Sequence, residues 1–304
     1  MSKILKVFAV ILLIATCAAL FIFWPREQVI VDNTAALFTA ENLPIVDSSL
    51  ATQPLMSALI ENFTAGAVKA KDIEYTNTHP GYVRLINGEV DLLIVTQPSE
   101  EELALAKEKG VELEVIPVVK EGFVFYVNKE NPINNLSSTE IQKIYAGEID
   151  NWSSVGGANA AIRAFQRPVN SGSQTGMLSL VMKDYELMEP IKENLVETMQ
   201  EIVNMVSSYD NGLNSIGYSY YYYAKTMFQG INKQVADNIK FISIDGVEPT
   251  NDNIKSGLYP YTTAYYIVIN KSEPENSLVR QMVNHMLSTR GQLVAEQIGY
   301  VPVK

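Results

Sequence analysis

One arginine and a hydroxyl-rich turn are the residues whose types and spacing best suit chemistry. Arg167 stands four residues before Ser171-Gly172-Ser173, and that turn runs into Met177, Leu178, Leu180 and Val181 at helical spacing. Ser171 or Ser173 can cap the helix. Gly172 lets the backbone come close to a ligand. The free N–H groups of the first turn converge on one spot at the positive end of the helix dipole. A guanidinium can add a two-pronged, charge-assisted hydrogen bond to an oxyanion. The chemistry supported is the holding of an anion. A Ser-capped surface helix beside an ordinary arginine would carry the same letters, so the rest of the chain must decide.

Other chemistries find little support. The two histidines, His79 and His285, lie far apart and in no HExxH arrangement, which argues against a zinc enzyme. The only cysteine, Cys17, sits in the N-terminal apolar run, so the body has no internal disulfide and no cysteine metal site. Ser171 and Ser173 have no histidine in a motif with them, and no G-x-S-x-G elbow occurs. His79 reads as a solvated loop histidine. No enzyme and no cofactor are expected. The net charge of −11 leaves no basic stripe for a nucleic acid. A small anion is compatible with it, because neutral dipoles and one arginine set the local field.

The elements that must position these residues alternate between strand and helix. With 304 residues, 47% of them hydrophobic, the chain can build two domains with real cores. Strand 42–47 leads into the hydroxyl turn Ser48–Thr52 and then a helix from Leu55 to Phe63, again the geometry of a helix N-terminus facing a cleft. Strands are expected at 73–75, 90–96, 113–119, 122–127, 161–165, 215–218, 239–244 and 259–270. Helices are expected at 83–87, 100–109, 137–145, 202–208, 276–286 and 291–298, with a solvated acidic helix over 184–201. Gly88 and Gly110 close two of them. The alternation predicts an α/β fold with mainly parallel sheet. The five tyrosines of 218–223 suit a half-buried face better than a ligand platform.

At the N-terminus, Lys3 and Lys6 precede eighteen uncharged residues, Val7–Trp24, closed by Pro25-Arg26-Glu27. Charge followed by an apolar core is an export signature. The run just reaches spanning length, with Trp24 at an interfacial position. An uncleaved membrane helix over 1–26 and a tether over 27–41 follow, with the body outside the cytoplasm. The alternative is a lipoprotein lipidated at Cys17, although Ile14-Ala15-Thr16-Cys17 is a poor lipobox.

Several pieces, taken in order over roughly 43–303, resemble the substrate-binding proteins of phosphate ABC transporters, within the type II periplasmic-binding-protein class. These are Ala51-Thr52-Gln53-Pro54, Val90-Asp91, Ile144-Tyr145-Ala146-Gly147-Glu148-Ile149-Asp150-Asn151-Trp152, Arg167-x-x-x-Ser171-Gly172-Ser173 and Ile216-Gly217-Tyr218. The resemblance implies a two-lobed α/β fold with two hinge crossings, near Gly122 and Thr262. Lobe 1 would then be 42–122 plus 262–304, and lobe 2 would be 123–261. It implies phosphate or a related oxyanion as ligand and an ABC permease as partner. Thr52, the Gln53 backbone and Thr78 would bind from one lobe; Arg167, Ser171, Gly172 and Ser173 from the other. Ser49 and Thr96 complete the expected set. Two positions depart from the family: Thr96 stands where its phosphate binders carry an aspartate, and Gln53 replaces an aromatic residue. These departures motivate an alternative, a membrane-tethered sensor or binding module of the same fold with another ligand.

Overall fold

The computed structural model describes residues 35–208 and 212–304. The expected membrane helix over 1–26, Cys17 and the first part of the tether lie outside the described residues. Among the described residues no helix is long and apolar enough to cross a membrane. From Ala35 onward the chain lies against the body: Phe38 is buried, Leu37 and Phe38 donate to the Phe63 carbonyl, and Arg290 Nη1 donates to the Ala35 carbonyl.

The strands are β1 (Val46–Ser48), β2 (Leu92–Val95), β3 (Leu113–Asn128), β4 (Asn135–Leu136), β5 (Arg163–Ala164), β6 (Ser215–Tyr220), β7 (Ile239–Phe241), β8 (Ser243–Ile244), β9 (Thr262–Asn270) and β10 (Val301–Pro302). The main order is β1-β2-β9-β3-β6-β5, with β10 and β7 also pairing with β3, while β4 and β8 form a separate ribbon. Strand β3 organises this arrangement. It pairs antiparallel with β9 as far as Gly122↔Thr262 and with β6 from Phe123↔Tyr220 onward. The change of partner falls between Gly122 and Phe123.

Four sequence expectations need correction. Among the described strands the pairing is mixed, parallel for β1–β2, β4–β8 and β5–β6 and antiparallel for five pairs, four of them made by β3. The long strand β3 is met by returning strands, and those run against it. Lys120-Glu121 does not break β3, because Lys120 reaches out to the Lys255 carbonyl while Glu121 is wholly buried. The acidic stretch 184–201 is not one helix, and only its last three residues, from Met199, are α-helical. Pro190 interrupts it, and Gln166 exchanges backbone hydrogen bonds with Asn194 and Val196, leaving one short turn at Lys192–Asn194. Residues 73–75 form no strand either; Asp47 captures the Thr76 N–H at 2.8 Å and holds the segment as a loop.

The helices that matter for the site are α1 (Gln53–Phe63), α2 (Thr78–Ile86), α3 (Glu100–Glu108) and α4 (Ser138–Tyr145), followed by α5 (Gly172–Gly176), which continues directly into a π-helical turn at Met177–Val181, and α6 (Met199–Ser207). Ser99 with Glu102, and Ser137 with Glu140, form capping boxes that start α3 and α4. Leu55, Met56, Leu59, Ile60 and Phe63 of α1 are fully buried on the first lobe, as are Ile141, Ile144, Tyr145 and Trp152 on the second. The tyrosine run lies at the crossing and is more buried than its composition suggests: Tyr218, Tyr220, Tyr222 and Tyr223 are all buried, and Tyr222 stacks on Tyr300 with ring centroids 3.5 Å apart.

Candidate functional site

Two helix N-termini and the turn ahead of a third helix meet at a cavity of about 200 Å³ between the lobes. The turn after β1 contributes Ser49, Leu50 and Ala51 ahead of α1. The start of α2 contributes Asn77, Thr78 and His79. The start of α5 contributes Ser171, Gly172 and Ser173. Thr96, at the end of β2, and Arg167, after β5, complete the wall. A volume this small lies below the roughly 300–1,000 Å³ of sites for drug-sized ligands. It suits a compact ion.

Local structure explains how each wall residue arrives there. Asp47, wholly buried at the end of β1, accepts from Thr76 N at 2.8 Å, from the Thr76 hydroxyl at 2.5 Å and from Arg84 Nη1 at 2.7 Å. The Asn77 N–H donates to the Ser48 carbonyl. Asn77 itself has φ of +85°, an unusual backbone state for a residue with a side chain, and it turns the chain into α2. On the opposite wall, the Ser171 hydroxyl accepts from Gln174 N at 3.3 Å and caps α5.

Arg167 is the electrostatic centre. Its backbone N–H donates to the Gln174 side-chain oxygen and to the Tyr218 hydroxyl at 3.0 Å. Nη1 donates to the Ser173 hydroxyl at 3.2 Å and Nη2 to the Glu197 carbonyl at 2.7 Å, while the buried Nε has no partner. Among the described residues, no carboxylate forms an ion pair with this guanidinium. Burial pulls its pKa down, and the neighbouring tyrosines and the exposed Glu197 work in the opposite direction. Arginine stays charged regardless. A largely buried cation without a countercharge is costly, and a bound anion would relieve that cost.

The lobes are in close contact here. A Cβ on Gly172 would lie 2.8 Å from both the Thr78 and the Thr96 hydroxyl oxygens, so only glycine lets the two walls approach this closely. Gln97 also hydrogen-bonds to Ser179, and Asn170 to Glu101, across the cleft. Thr96 Oγ1 is buried without a hydrogen-bond partner, and the Tyr220 hydroxyl donates to the Gly172 carbonyl at 3.1 Å.

Of the residues singled out from sequence, Ser49, Thr78, Thr96, Arg167, Ser171, Gly172 and Ser173 line this cavity together. Thr52 and Gln53 do not. The Thr52 side chain is wholly buried behind the wall, where its hydroxyl donates to the Ile94 carbonyl and meets Ser49 Oγ at 2.9 Å. Gln53 begins α1 outside the lining. His79 was read as solvated, yet it lines the cavity, with Nδ1 3.1 Å from the buried carboxylate of Glu102. Asn170, Thr198 and Tyr220 also went unread as lining residues. Tyr220 lay within a flagged run, and His79 followed a flagged threonine. Thr198 starts a capping box with Glu201, a signature that the helix expected over 184–201 concealed.

The architecture is that of a binding protein with two lobes closing on a central cleft. Residues 45–290 match the family model of the PBP superfamily domain, and the chain belongs to that superfamily. It is 26% identical to protein SphX of Synechococcus elongatus over 275 residues, covering 86% of this chain and 77% of that protein. It is also 26% identical to the phosphate-binding protein PstS of Bacillus subtilis over 261 residues, covering 85% and 80%. Among solved structures, a putative phosphate ABC transporter substrate-binding protein with bound phosphate from Clostridium perfringens superposes with a TM-score of 0.65. That match has 22% identity and covers 85% of this chain and 98% of the other, which establishes the shared fold.

Proposed function

We propose that this chain is an extracytoplasmic solute-binding protein that captures inorganic phosphate, or a similar oxyanion, between its lobes for an ABC importer. The observation that carries the reading is Arg167: a largely buried guanidinium with an unpartnered Nε, no ion-pair partner among the described residues, and a small cavity ringed by hydroxyls and helix N-termini. Relatives named as phosphate-binding proteins support the choice of anion. The proposed contacts are Ser49, Thr78, Thr96, Arg167, Ser171, Gly172 and Ser173. Thr52 and Gln53 serve by shaping the turn that carries Ser49.

In this reading the lobes are 42–122 plus 262–304 and 123–261, a division supported by the point where β3 changes partner. Ligand capture is a population shift toward the closed lobes. The apolar segment 7–24, preceded by Lys3 and Lys6, holds the body at the outer membrane surface, with lipidation at Cys17 as the other route to the same place. The chain performs no catalysis; it delivers the anion to a permease. Calorimetric titration of the purified chain with phosphate tests the proposal. It fails if neither phosphate nor another tetrahedral oxyanion binds.

A further inference from the structure

We propose that the His79–Glu102 pair is the proton acceptor of the anion site and gives it a preference for a protonated oxyanion, such as hydrogen phosphate, over an unprotonated one, such as sulfate. This rests on the anion-site reading and adds which form of anion the site selects.

The lining explains the need. Arg167, the backbone N–H groups of the helix starts and the hydroxyls of Ser49, Thr78, Thr96, Ser171 and Ser173 all serve an anion as donors. A hydrogen phosphate brings one O–H of its own. If that O–H is buried without an acceptor, the lost hydrogen bond to water is not replaced, and binding weakens. Sulfate has the same shape and can have the same charge, but no proton, so an all-donor wall would favour it. Discrimination requires an acceptor within the wall.

His79 is placed to be that acceptor. It is the second residue of α2 and lines the cavity. Its Nδ1 lies 3.1 Å from Glu102 Oε1. Glu102 is only 1% exposed and cannot turn away, because its Oε2 accepts from Ser99 N at 2.7 Å in the capping box that starts α3. A carboxylate only accepts, so the shared proton resides on Nδ1, and the lone pair of the neutral ring is left on Nε2. Nε2 has no protein partner among the described residues. The carboxylate fixes the ring orientation. Other oxygens in the wall are poorer candidates. The Asn77 and Glu197 side chains are exposed, the Asn170 amide is held by Glu101, the Glu197 carbonyl is taken by Arg167, and a hydroxyl facing an anion donates its own proton. Glu102 acts through the ring as a positioning residue.

The test measures dissociation constants for phosphate and for sulfate on the full chain at mildly alkaline pH, where inorganic phosphate is mostly the monohydrogen dianion. Wild type should prefer phosphate. His79→Ala should lower the phosphate-to-sulfate preference about tenfold or more, by weakening phosphate while leaving sulfate nearly unchanged. Glu102→Gln, which offers one oxygen to the two donors that Glu102 accepts from, Ser99 N and Nδ1–H, should fall between wild type and His79→Ala. A purely structural role would weaken both anions equally. Equal weakening, an unchanged ratio in a folded His79→Ala protein, or a wild type that binds sulfate as tightly as phosphate would each overturn the inference while leaving the anion site standing. A wild type that binds neither anion would instead remove the anion-site reading, and this inference with it.

Discussion

Glu121→Gln should make the protein more stable, and increasingly so as pH rises. Glu121 lies in β3 one residue before the crossing and is wholly buried. Its Oε1 accepts from Gly122 N at 2.8 Å and from Tyr222 N at 3.2 Å, while Oε2 has no partner. The ionisable groups facing it are tyrosines, namely Tyr220, Tyr221, Tyr222, Tyr265 and Tyr300, with no cation among them. Burial therefore lifts its pKa from 4.5 to about 8, with the backbone N–H groups offsetting only part of the effect. The sign follows from linkage. The native state holds the proton up to about pH 8, whereas the unfolded chain releases it near pH 4.5. The contribution is fully present below the lower value and is lost as pH rises through the higher one. The total change is roughly 5 kcal/mol, and about 3 kcal/mol of it is already lost at neutral pH. Glutamine places an N–H₂ where Oε2 lacks a partner and does not titrate. Denaturant unfolding of both proteins across this range should show the stability difference widening with pH, by a little over 1 kcal/mol per pH unit in its steepest part. Parallel curves would refute the assignment of a buried, protonated Glu121.

Two further outcomes follow from the geometry. Gly172→Ala should wedge the lobes apart, because its Cβ would lie 2.8 Å from Thr78 and Thr96 oxygens; phosphate affinity should fall by about tenfold or more in titration calorimetry while the melting temperature of the free protein stays near wild type. Trp152→Ala should destabilise the chain by about 3–5 kcal/mol in denaturant unfolding, since Trp152 is 1% exposed and its indole N–H donates to the Asn214 carbonyl at 2.9 Å.

Much of the site was legible because its signals are local. The Ser171 cap, the spacing to Arg167 and the glycine at the point of closest approach are all encoded within seven residues. Helix ends at Gly88 and Gly110 were readable for the same reason, and both have positive φ, +74° and +69°. What was misread depends on distant partners. Thr52 is expected among the ligand contacts, but Ile94, far along the chain, takes its hydroxyl. His79 looked solvated because Glu102, which holds it, begins a different helix. Strand β3 was split at Lys120-Glu121 because charged residues interrupt an apolar run; only the tyrosine-lined crossing explains a buried carboxyl there. The irregular path of 184–201 is set by its bridge to Gln166, which no periodicity reveals.

The central claim is that a buried, uncompensated Arg167 awaits an oxyanion between the lobes. Calorimetric titration of wild type and Arg167→Ala with phosphate tests it most directly. Removing charge-assisted hydrogen bonds worth about 1.5–3 kcal/mol each should weaken binding by at least a hundredfold while the protein remains folded. An Arg167→Ala protein that binds phosphate as tightly as wild type would contradict the account.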